Sequence, residues 1–597
     1  MANGKAGGTG TGGRGAWRVL HAACAGVMSA MVCASAAQAE PRLFFDASQI
    51  DAIRQRASQA PFTAMVSAIE DALNPSVEGT YPIADEARNA AYMYILTGDE
   101  AYAQRALDMS MRTIGDTAFW NVDGSKGLTR AHMQMGVAIA YDLCKDSTAW
   151  AAQREFVSRE IRKNSDSLIR NGGSGWPGDS KYGNNWWAVR YSAAGMGYLA
   201  CDEAGTASNL ATAYSKLTIH LNYNLTGANP YSVSGPPNGW NPEGVGYTAY
   251  PWRFTGSFGI AMKRLTGQDI TNDPNITPTV QYALWSTYPG MLPLPRLDGE
   301  LGIHTDFGDD NANWEGNGAF NLSFAYAPQQ YIAGMKWQYD RADGALGDNT
   351  WDSNSAGAFW GILYYPDQVT ARNPAEVYGK TYVDASYGMA LFRSRYQDEA
   401  DYVAQLSAKG RSSFGGHSGP DASQFRIMGG GTVWATGWGR GGYIGANTGV
   451  FQADPSSPTI SNSATSGILG KLTATQANER GDGYAVTYGS NFNVVDMQRR
   501  MIVDYSGRSG AEALYVIADT SQPGTAASDT TTGVGRYWRF NTPEFNAIEI
   551  DPLDPSQFTL TGPDGQLMFG KILHGDASTV RTGKIKRDSS NDPNSVG

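Results

Sequence analysis

The spacing of apolar residues changes near residue 380, and this change constrains the fold of the 597-residue chain more than any other feature. Before it, apolar residues recur at the three- and four-residue spacing of amphipathic helices. Ala84–Leu96 and Glu100–Ile114, for example, form a predicted pair joined by Thr97-Gly98-Asp99, where glycine ends the first helix. A series of such helical hairpins predicts an α-solenoid or a toroid.

After residue 380 the segments are short, rich in β-branched and aromatic residues, and separated by Gly, Asp and Ser. Stretches such as Tyr382–Phe392 and Asn493–Val503 predict an antiparallel sheet domain. We therefore expect an α+β multidomain protein, with an (α/α) toroid over residues 40–375 and a C-terminal antiparallel β-sandwich over residues 376–597. The boundary is expected in the polar stretch Pro366–Lys380, which contains proline.

Residues 1–39 have the features of a signal peptide, which would be cleaved after Ala39. Lys5, Arg14 and Arg18 are followed by an apolar run and then by the small-residue pattern Ala37-Gln38-Ala39. We therefore expect a periplasmic or secreted protein. We expect no membrane span, because the sequence has no other apolar run of about 18 residues.

The charge balance excludes a nucleic-acid-coating protein, since the chain has 46 Lys+Arg against 57 Asp+Glu and no basic block. Removing residues 1–39, which hold three basic and no acidic residues, takes the formal net charge from −11 to −14.

The state of the two cysteines after residue 39 is left open by the sequence. An exported protein meets an oxidising compartment, which permits a disulfide between Cys144 and Cys201, but two buried thiols fit the sequence equally well. The 31 Tyr and 16 Trp suit an extracytoplasmic protein on which sugar rings stack, although a large core explains them as well.

Candidate site residues cluster in polar, aromatic-rich loops, whereas Walker, GxSxG, CxxC and HExxH motifs are absent from the sequence. Asn184 and Asn185 stand at a predicted helix start, where an asparagine can also be a simple N-cap. His417 lies in a glycine-rich loop that enters a strand, which favours an exposed site residue over a core histidine. Near these loops, Tyr247 and Tyr250 are further catalytic candidates. The substrate-binding candidates are Trp186, Trp187, Arg190, Trp240, Glu243, Trp252, His304 and Tyr443.

Four segments stand out together: Pro41–Phe45, Asn184-Asn185-Trp186, Pro242–Tyr247 with its Pro-Glu-Gly-x-x-Tyr pattern, and His417 followed by Asp421 and Phe425. Their order and spacing resemble those of the heparinase II/III-like polysaccharide lyases, a family that includes alginate and oligoalginate lyases. The resemblance covers most of the chain after residue 39 and implies a toroid followed by a β-sandwich. Gly419 and Ala446 replace histidines that belong to a zinc site in some members, so we expect that site to be missing and no cofactor to be required.

The resemblance implies β-elimination at a uronic acid, in which a base removes the C5 proton and the C4–O bond breaks. Hydrogen-bond donors must first neutralise the carboxylate, a role for Asn184, Asn185 and His417, with Arg190 assisting. A tyrosine can act as base and then as acid when the two groups are syn. Tyr247 is the first candidate and Tyr250 the second, although packing is the simpler explanation for Tyr250.

A negative net charge repels a polyanionic substrate unless the cleft itself is basic. Arginines near the motifs that could line such a cleft are Arg190, Arg253, Arg296, Arg426 and Arg440. We therefore expect a carboxylated but lightly sulfated acidic polysaccharide or oligosaccharide as the partner, and the oligomeric state stays open.

Two other functions fit the same sequence. A glycoside hydrolase on an α/α toroid would use paired carboxylates, such as Glu243 with Asp309 or Glu315. A non-catalytic glycan-binding protein would use Trp186, Trp187, Trp240 and Trp252 to stack sugars.

Overall fold

The fold was analysed in a computed structural model of the chain. The structure describes residues 41–73, 80–120, 127–170, 184–201, 206–226, 244, 246–270, 319–342, 355–377, 379–384, 388–395, 401–408, 423–435, 451–452, 470–492, 495–523, 536–537, 540–543 and 545–573.

The first part of the described chain is helical. After a short 3₁₀ turn, Ala47–Gln49, the helices are α1 Ile50–Ala57, α2 Phe62–Asp71, α3 Thr80–Thr97, α4 Glu100–Ile114, α5 Gly127–Cys144, α6 Arg154–Arg170, α7 Asn185–Cys201, α8 Ala207–Thr226, α9 Gly246–Thr266, α10 Ala319–Ser323, α11 Gln329–Ala342, α12 Ser355–Tyr364 and α13 Pro374–Val377. The α3–α4 hairpin forms where the sequence predicts it. Gly98 takes a φ of 76°, and the Asp99 side chain caps α4 by accepting from the Ala101 amide at 2.9 Å.

The helices form two layers, and their burial shows which layer each one occupies. In α5 every residue except Leu128 and His132 is buried, and in α7 every residue except Trp186 and Cys201 is buried. Helices covered on all sides lie in the interior. The inner helices α3, α5, α7 and α9 pack in succession, followed by α10 and α12, and α12 packs against α2 and α3 to close the ring.

The second part of the described chain consists of antiparallel sheets with the strand orders β1-β2-β3-β4-β5, β10-β9-β8-β7, β11-β6 and β12-β13-β14. Their strands are β1 Thr381–Asp384, β2 Met389–Arg393, β3 Val403–Ser407, β4 Gln424–Gly429, β5 Thr432–Ala435, β6 Phe451–Gln452, β7 Gly470–Ala477, β8 Gly483–Phe492, β9 Val495–Asp504, β10 Leu514–Pro523, β11 Arg536–Tyr537, β12 Ala547–Ile550, β13 Gln557–Thr561 and β14 Leu567–Lys571.

The five-stranded sheet is buried on both faces. Alternate residues of β2 belong to different cores: Met389 and Leu391 lie in the core of the helices, whereas Ala390 and Phe392 pack with Met501 of β9. The sheet is therefore a middle layer between the helices and the four-stranded sheet. This arrangement confirms the predicted α+β fold class of a helical toroid followed by an antiparallel β-sandwich.

One local expectation differs from the structure, and the alternatives left open for Cys144 and Cys201 are decided. The predicted strand Tyr382–Phe392 is a hairpin of β1 and β2, in which Gly388 takes a φ of 83° before β2 begins. No disulfide joins Cys144 to Cys201, both of which are described: Cys144 is buried and the Cys201 thiol donates to the Ser158 carbonyl at 3.4 Å. Residues 1–39 lie outside the described residues.

Candidate active site

The C-terminal ends of three inner helices converge on Arg42. Its backbone amide donates to Asp142 near the end of α5 at 2.9 Å, and its guanidinium donates to the Leu199 carbonyl near the end of α7 at 3.0 Å. Arg264, near the end of α9, donates from Nε to the Arg42 carbonyl at 2.8 Å. The three helices therefore run in the same direction, and their N-terminal ends meet on the opposite side of the ring.

A histidine–tyrosine pair lies at these N-terminal ends. His132, in the second turn of α5, and Tyr250, in the second turn of α9, are hydrogen-bonded, with Nε2 and Oη 2.7 Å apart. The ring of Phe254 packs edge-on against His132, with centroids 4.8 Å apart. Both members of the pair are half-buried although most of α5 is buried, so the pair sits where the packed ring opens.

The surroundings keep His132 neutral. Burial lowers the pKa of His132 well below its usual value, and the positive charges of Arg253 and Arg88 lower it further. A neutral imidazole has one nitrogen free to accept a hydrogen bond. With its proton on Nδ1, His132 accepts from the Tyr250 hydroxyl at Nε2. Through this hydrogen bond, His132 holds the Tyr250 hydroxyl in a fixed orientation.

Positive charge surrounds this pair in an otherwise acidic protein. The Arg253 guanidinium lies over the rings of Tyr250 and Phe254, with Cζ 4.9 and 5.2 Å from their centroids. Arg88 approaches from α3 and is paired with Asp85 at 2.8 Å. The N-terminal ends of parallel helices add partial positive charge at the same place. A negative charge that develops on the tyrosine or on a substrate is favoured there.

The predicted Asn184–Asn185 pair lies at the N-terminal end of α7, the helix packed between α5 and α9. Asn184 is the N-cap, because its Oδ1 accepts from the Trp186 amide at 2.9 Å. The cap engages the Asn184 oxygen and leaves the Nδ2 group as a donor. Asn185, in the first turn of α7, is fully buried. The structure therefore brings both asparagines to the same end of the ring as His132 and Tyr250.

Two tryptophans predicted to bind sugar are packed in the interior instead. Trp187 is 2% exposed and donates from Nε1 to the Lys216 carbonyl of α8 at 2.8 Å. Trp252 is 7% exposed and donates to the Ser323 hydroxyl at 3.1 Å. Because a sugar ring needs an open aromatic face, neither indole fits a stacking role. Trp186 is half-buried and keeps that possibility.

Arg190 holds two helices together. Its guanidinium donates from Nε to the Leu168 carbonyl at 2.5 Å and from Nη2 to the Ile169 carbonyl at 3.0 Å. These carbonyls belong to the last turn of α6, where an arginine satisfies acceptors that the helix itself leaves open. The contacts favour a structural role for Arg190 over the predicted assistance to the substrate carboxylate.

Arg426 is buried and donates from Nη1 to the Phe425 carbonyl at 3.0 Å, whereas most of the remaining predicted residues have no described side chain. Tyr247 lies in the first turn of α9, one turn before Tyr250, but its side chain falls outside the described residues. The same holds for Trp240, Glu243, His304, His417 and Tyr443, and for the carboxylates Asp309 and Glu315.

The sequence did not single out His132, although two signals pointed to it. The segment after residue 39 contains only five histidines, and His132 is the one within the apolar run of α5. A lone histidine in such a run fits a packed core residue as well as a reactive one. Its hydrogen bond to Tyr250, 118 positions along the chain, is visible only in three dimensions.

Within the described ranges, no three His, Cys, Asp or Glu side chains group together in a way that would hold a metal ion. Among the same residues, no helix combines the length and apolar character that a membrane crossing requires.

The fold is similar to that of solved polysaccharide lyases. Heparinase III matches with a TM-score of 0.52 and 14% identity, over 81% of this chain and 72% of the other. Looser matches are the heparan sulfate lyase HepC from Pedobacter heparinus (TM-score 0.41, 12% identity, 84% of this chain and 85% of the other) and a chondroitin AC lyase from Streptomyces coelicolor (TM-score 0.40, 10% identity, 77% and 70%). No family profile matches the chain, and neither does any curated protein.

The match to heparinase III confirms at the level of the fold the resemblance drawn from the sequence motifs. At 14% identity it carries the architecture alone, so the chemistry must be argued from the residues of this chain.

Proposed function

We propose that the chain is a polysaccharide lyase that cleaves a uronic-acid-containing glycan by β-elimination, with a tyrosine of α9 as the base. The observation that carries the proposal is the 2.7 Å hydrogen bond between His132 Nε2 and Tyr250 Oη. It joins a neutral proton acceptor to a phenol at an electropositive end of the ring. The shared architecture with heparinase III supports the same class of enzyme.

The reaction follows from the groups present. When a uronate binds, its negative charge favours the protonated form of His132, so the Tyr250 hydroxyl passes its proton to His132 and the phenolate removes the C5 proton of the uronate. The C5–H electrons form the C4–C5 double bond as the C4–O bond breaks. Tyr250, now protonated, gives its proton to the leaving oxygen, and His132 then returns a proton to Tyr250. Each group ends in its starting state.

The substrate carboxylate must be neutralised as charge develops, and the N-terminal end of α7 is suited to this. An amide donor from Asn184, with His417 as the sequence suggests, would stabilise the enolate-like intermediate. Asn185 is fully buried, so we propose that it supports this helix end and does not contact the sugar. The partial positive charge of the helix end acts in the same direction. This step uses acid–base chemistry alone, and we propose that no cofactor takes part.

Tyr250 and Tyr247 are the two candidates for the base, and substitution separates them. We expect Tyr250→Phe to abolish the ultraviolet absorbance that an unsaturated uronate produces, with the thermal midpoint unchanged. Tyr247→Phe should retain more turnover if Tyr250 is the base. Full activity in both variants would contradict a tyrosine base on α9, and loss of activity in Tyr247→Phe alone would transfer the role to Tyr247.

The nature of the product separates this proposal from the hydrolase and binding alternatives. The purified chain should be incubated with alginate, glucuronan, hyaluronan, chondroitin and heparan, and product size and absorbance recorded. New reducing ends without absorbance would support a hydrolase, and binding without any product would support a glycan-binding protein. We propose a carboxylated, lightly sulfated substrate and a periplasmic or secreted location, in keeping with the acidic charge and the features of residues 1–39.

A further inference from the structure

Arg253 combines a partly buried charge with no acidic partner. It lies on α9, one turn after Tyr250, and its guanidinium is held against the rings of Tyr250 and Phe254. Among the residues that the structure describes, no carboxylate pairs with it, and its buried Nε has no hydrogen-bond partner. An aromatic contact attracts the charge but leaves the N–H donors unsatisfied.

Several other arginines of the same chain pair with a carboxylate, although the Nε of Arg88 also has no hydrogen-bond partner. Arg88 pairs with Asp85, and the fully buried Arg499 forms two bonds to Asp519, at 2.7 and 2.6 Å. On α9 itself, Arg264 pairs with Asp46 at 3.2 Å. A partly buried guanidinium without an acidic partner is costly in a folded protein, and a bound anion would supply the missing partner.

We propose that Arg253 is an anion-binding residue that takes the carboxylate of a uronate at the His132–Tyr250 site. The planar guanidinium matches a carboxylate with two parallel hydrogen bonds, and stacking between two aromatic rings fixes its orientation before the substrate arrives. Arg253 thereby selects an acidic sugar over a neutral one. This assignment rests on the proposed function for its link to catalysis, but not for the binding itself.

The kinetic test pairs Arg253→Gln with esterification of the substrate. On an oligouronate, Arg253→Gln should raise KM by about 10- to 100-fold with a smaller change in kcat, since the lost bonds are charge-assisted. On the methyl ester of the same oligouronate, the variant and the natural chain should differ little. An equal rise on both substrates, or no rise on either, overturns the proposal.

Two further variants control for folding. Arg253→Lys keeps the positive charge and the aliphatic stem, so it should give an intermediate KM on the free acid. Arg264→Gln removes an arginine from the opposite end of the same helix and should lower the thermal midpoint while leaving KM unchanged. If Arg253→Lys raises KM on the free acid as much as Arg253→Gln does, and both variants also raise KM on the methyl ester, the effect is structural and the proposal is wrong.

Direct binding keeps this inference separate from the lyase proposal. Calorimetry with a glucuronate trisaccharide, a neutral glucose trisaccharide and a sulfated trisaccharide lacking carboxylates needs no turnover. The glucuronate should bind most tightly, and Arg253→Gln should remove its advantage. If the natural chain makes no unsaturated product but this preference is seen, the lyase proposal fails and the anion site stands. If affinity is independent of the carboxylate, or if the sulfated sugar binds best, the anion site as assigned fails.

Discussion

The two ends of helices α5, α7 and α9 contain similar residue types but differ in whether their charged side chains are paired. At the C-terminal ends, the Asp142 carboxylate accepts from the amides of Arg42 and Leu43 and from Lys145, and Arg264 pairs with Asp46. At the N-terminal ends, a neutral histidine meets a tyrosine beside Arg253, which has no acidic partner in the described part of the chain.

The contrast indicates that the C-terminal ends contribute to stability and the N-terminal ends to binding and reaction. Matched charges and satisfied donors stabilise a fold, whereas unmatched charge and a depressed histidine pKa are typical of a site that binds and reacts. Substitutions at the two ends should therefore affect different measurements.

The largest effect is expected at the N-terminal end. Tyr250→Phe should lower kcat/KM by about 10²- to 10⁴-fold, the usual range for loss of a general base. The thermal midpoint should hardly change, because the ring keeps its packing. Tyr198→Phe is the matched control: it removes a hydroxyl near the C-terminal end of α7 that donates to Asp166 at 2.7 Å, so activity should survive.

At the C-terminal end, the matching substitution is Asp142→Ala. It leaves Lys145 and two backbone amides buried without their acceptor, so the free energy of unfolding should fall by about 3–5 kcal/mol. Urea unfolding measures the change, and the folded fraction should retain the natural kcat. A large fall in kcat in a fully folded Asp142→Ala variant would contradict the assignment of stability to the C-terminal ends and of reactivity to the N-terminal ends.

The substitution Asn184→Asp separates the helix-capping role of Asn184 from its proposed role in catalysis. The aspartate keeps an oxygen for the Trp186 amide, so stability should be preserved. It loses the Nδ2 donor and adds a negative charge near the substrate carboxylate, so kcat should fall by about 10²-fold. Unchanged turnover would restrict Asn184 to the cap.

Trp187→Phe tests the correction made to the predicted sugar-stacking surface. Losing the bond from Nε1 to the Lys216 carbonyl should cost about 1–3 kcal/mol of unfolding free energy. KM should not change, since the indole is in the interior. An increase in KM without a loss of stability would mean that Trp187 does contact the sugar.

The smallest expected effect is a pH dependence of stability. Because the folded-state pKa of His132 is depressed, the unfolded chain binds this proton first as the pH falls below about 6.5. Unfolding free energy should therefore decrease below that pH, by at most about 1.4 kcal/mol per unit, and His132→Gln should remove this part of the slope. An unchanged slope in the variant would contradict a neutral, half-buried His132.

The sequence predicted the architecture well because its signals are local. Helical spacing, the glycine that ends α3 and the change of spacing near residue 380 depend on near neighbours in the chain, and the structure bears them out. The β1–β2 hairpin was missed because two short strands and their turn look like one longer apolar segment.

The site was predicted only in part because it depends on distant contacts. The sequence placed Asn184, Asn185 and Tyr250 among its candidates, and the structure brings them to one end of the ring. Sequence reasoning did not single out His132, whose role depends on a residue 118 positions away. It also assigned Trp187 and Trp252 to sugar binding, whereas neighbouring helices bury both side chains. Tyrosines and tryptophans serve both packing and sugar binding, so composition alone does not separate the two.

The most direct test of the central claim is the ultraviolet absorbance of the product formed from a uronan by the natural chain and by Tyr250→Phe, with folding checked for both. We predict that the natural chain produces a C4–C5 unsaturated uronate and that Tyr250→Phe, equally stable, does not. Absence of unsaturated product from every uronan tested, or full activity in Tyr250→Phe, would contradict the claim that the His132–Tyr250 pair performs β-elimination.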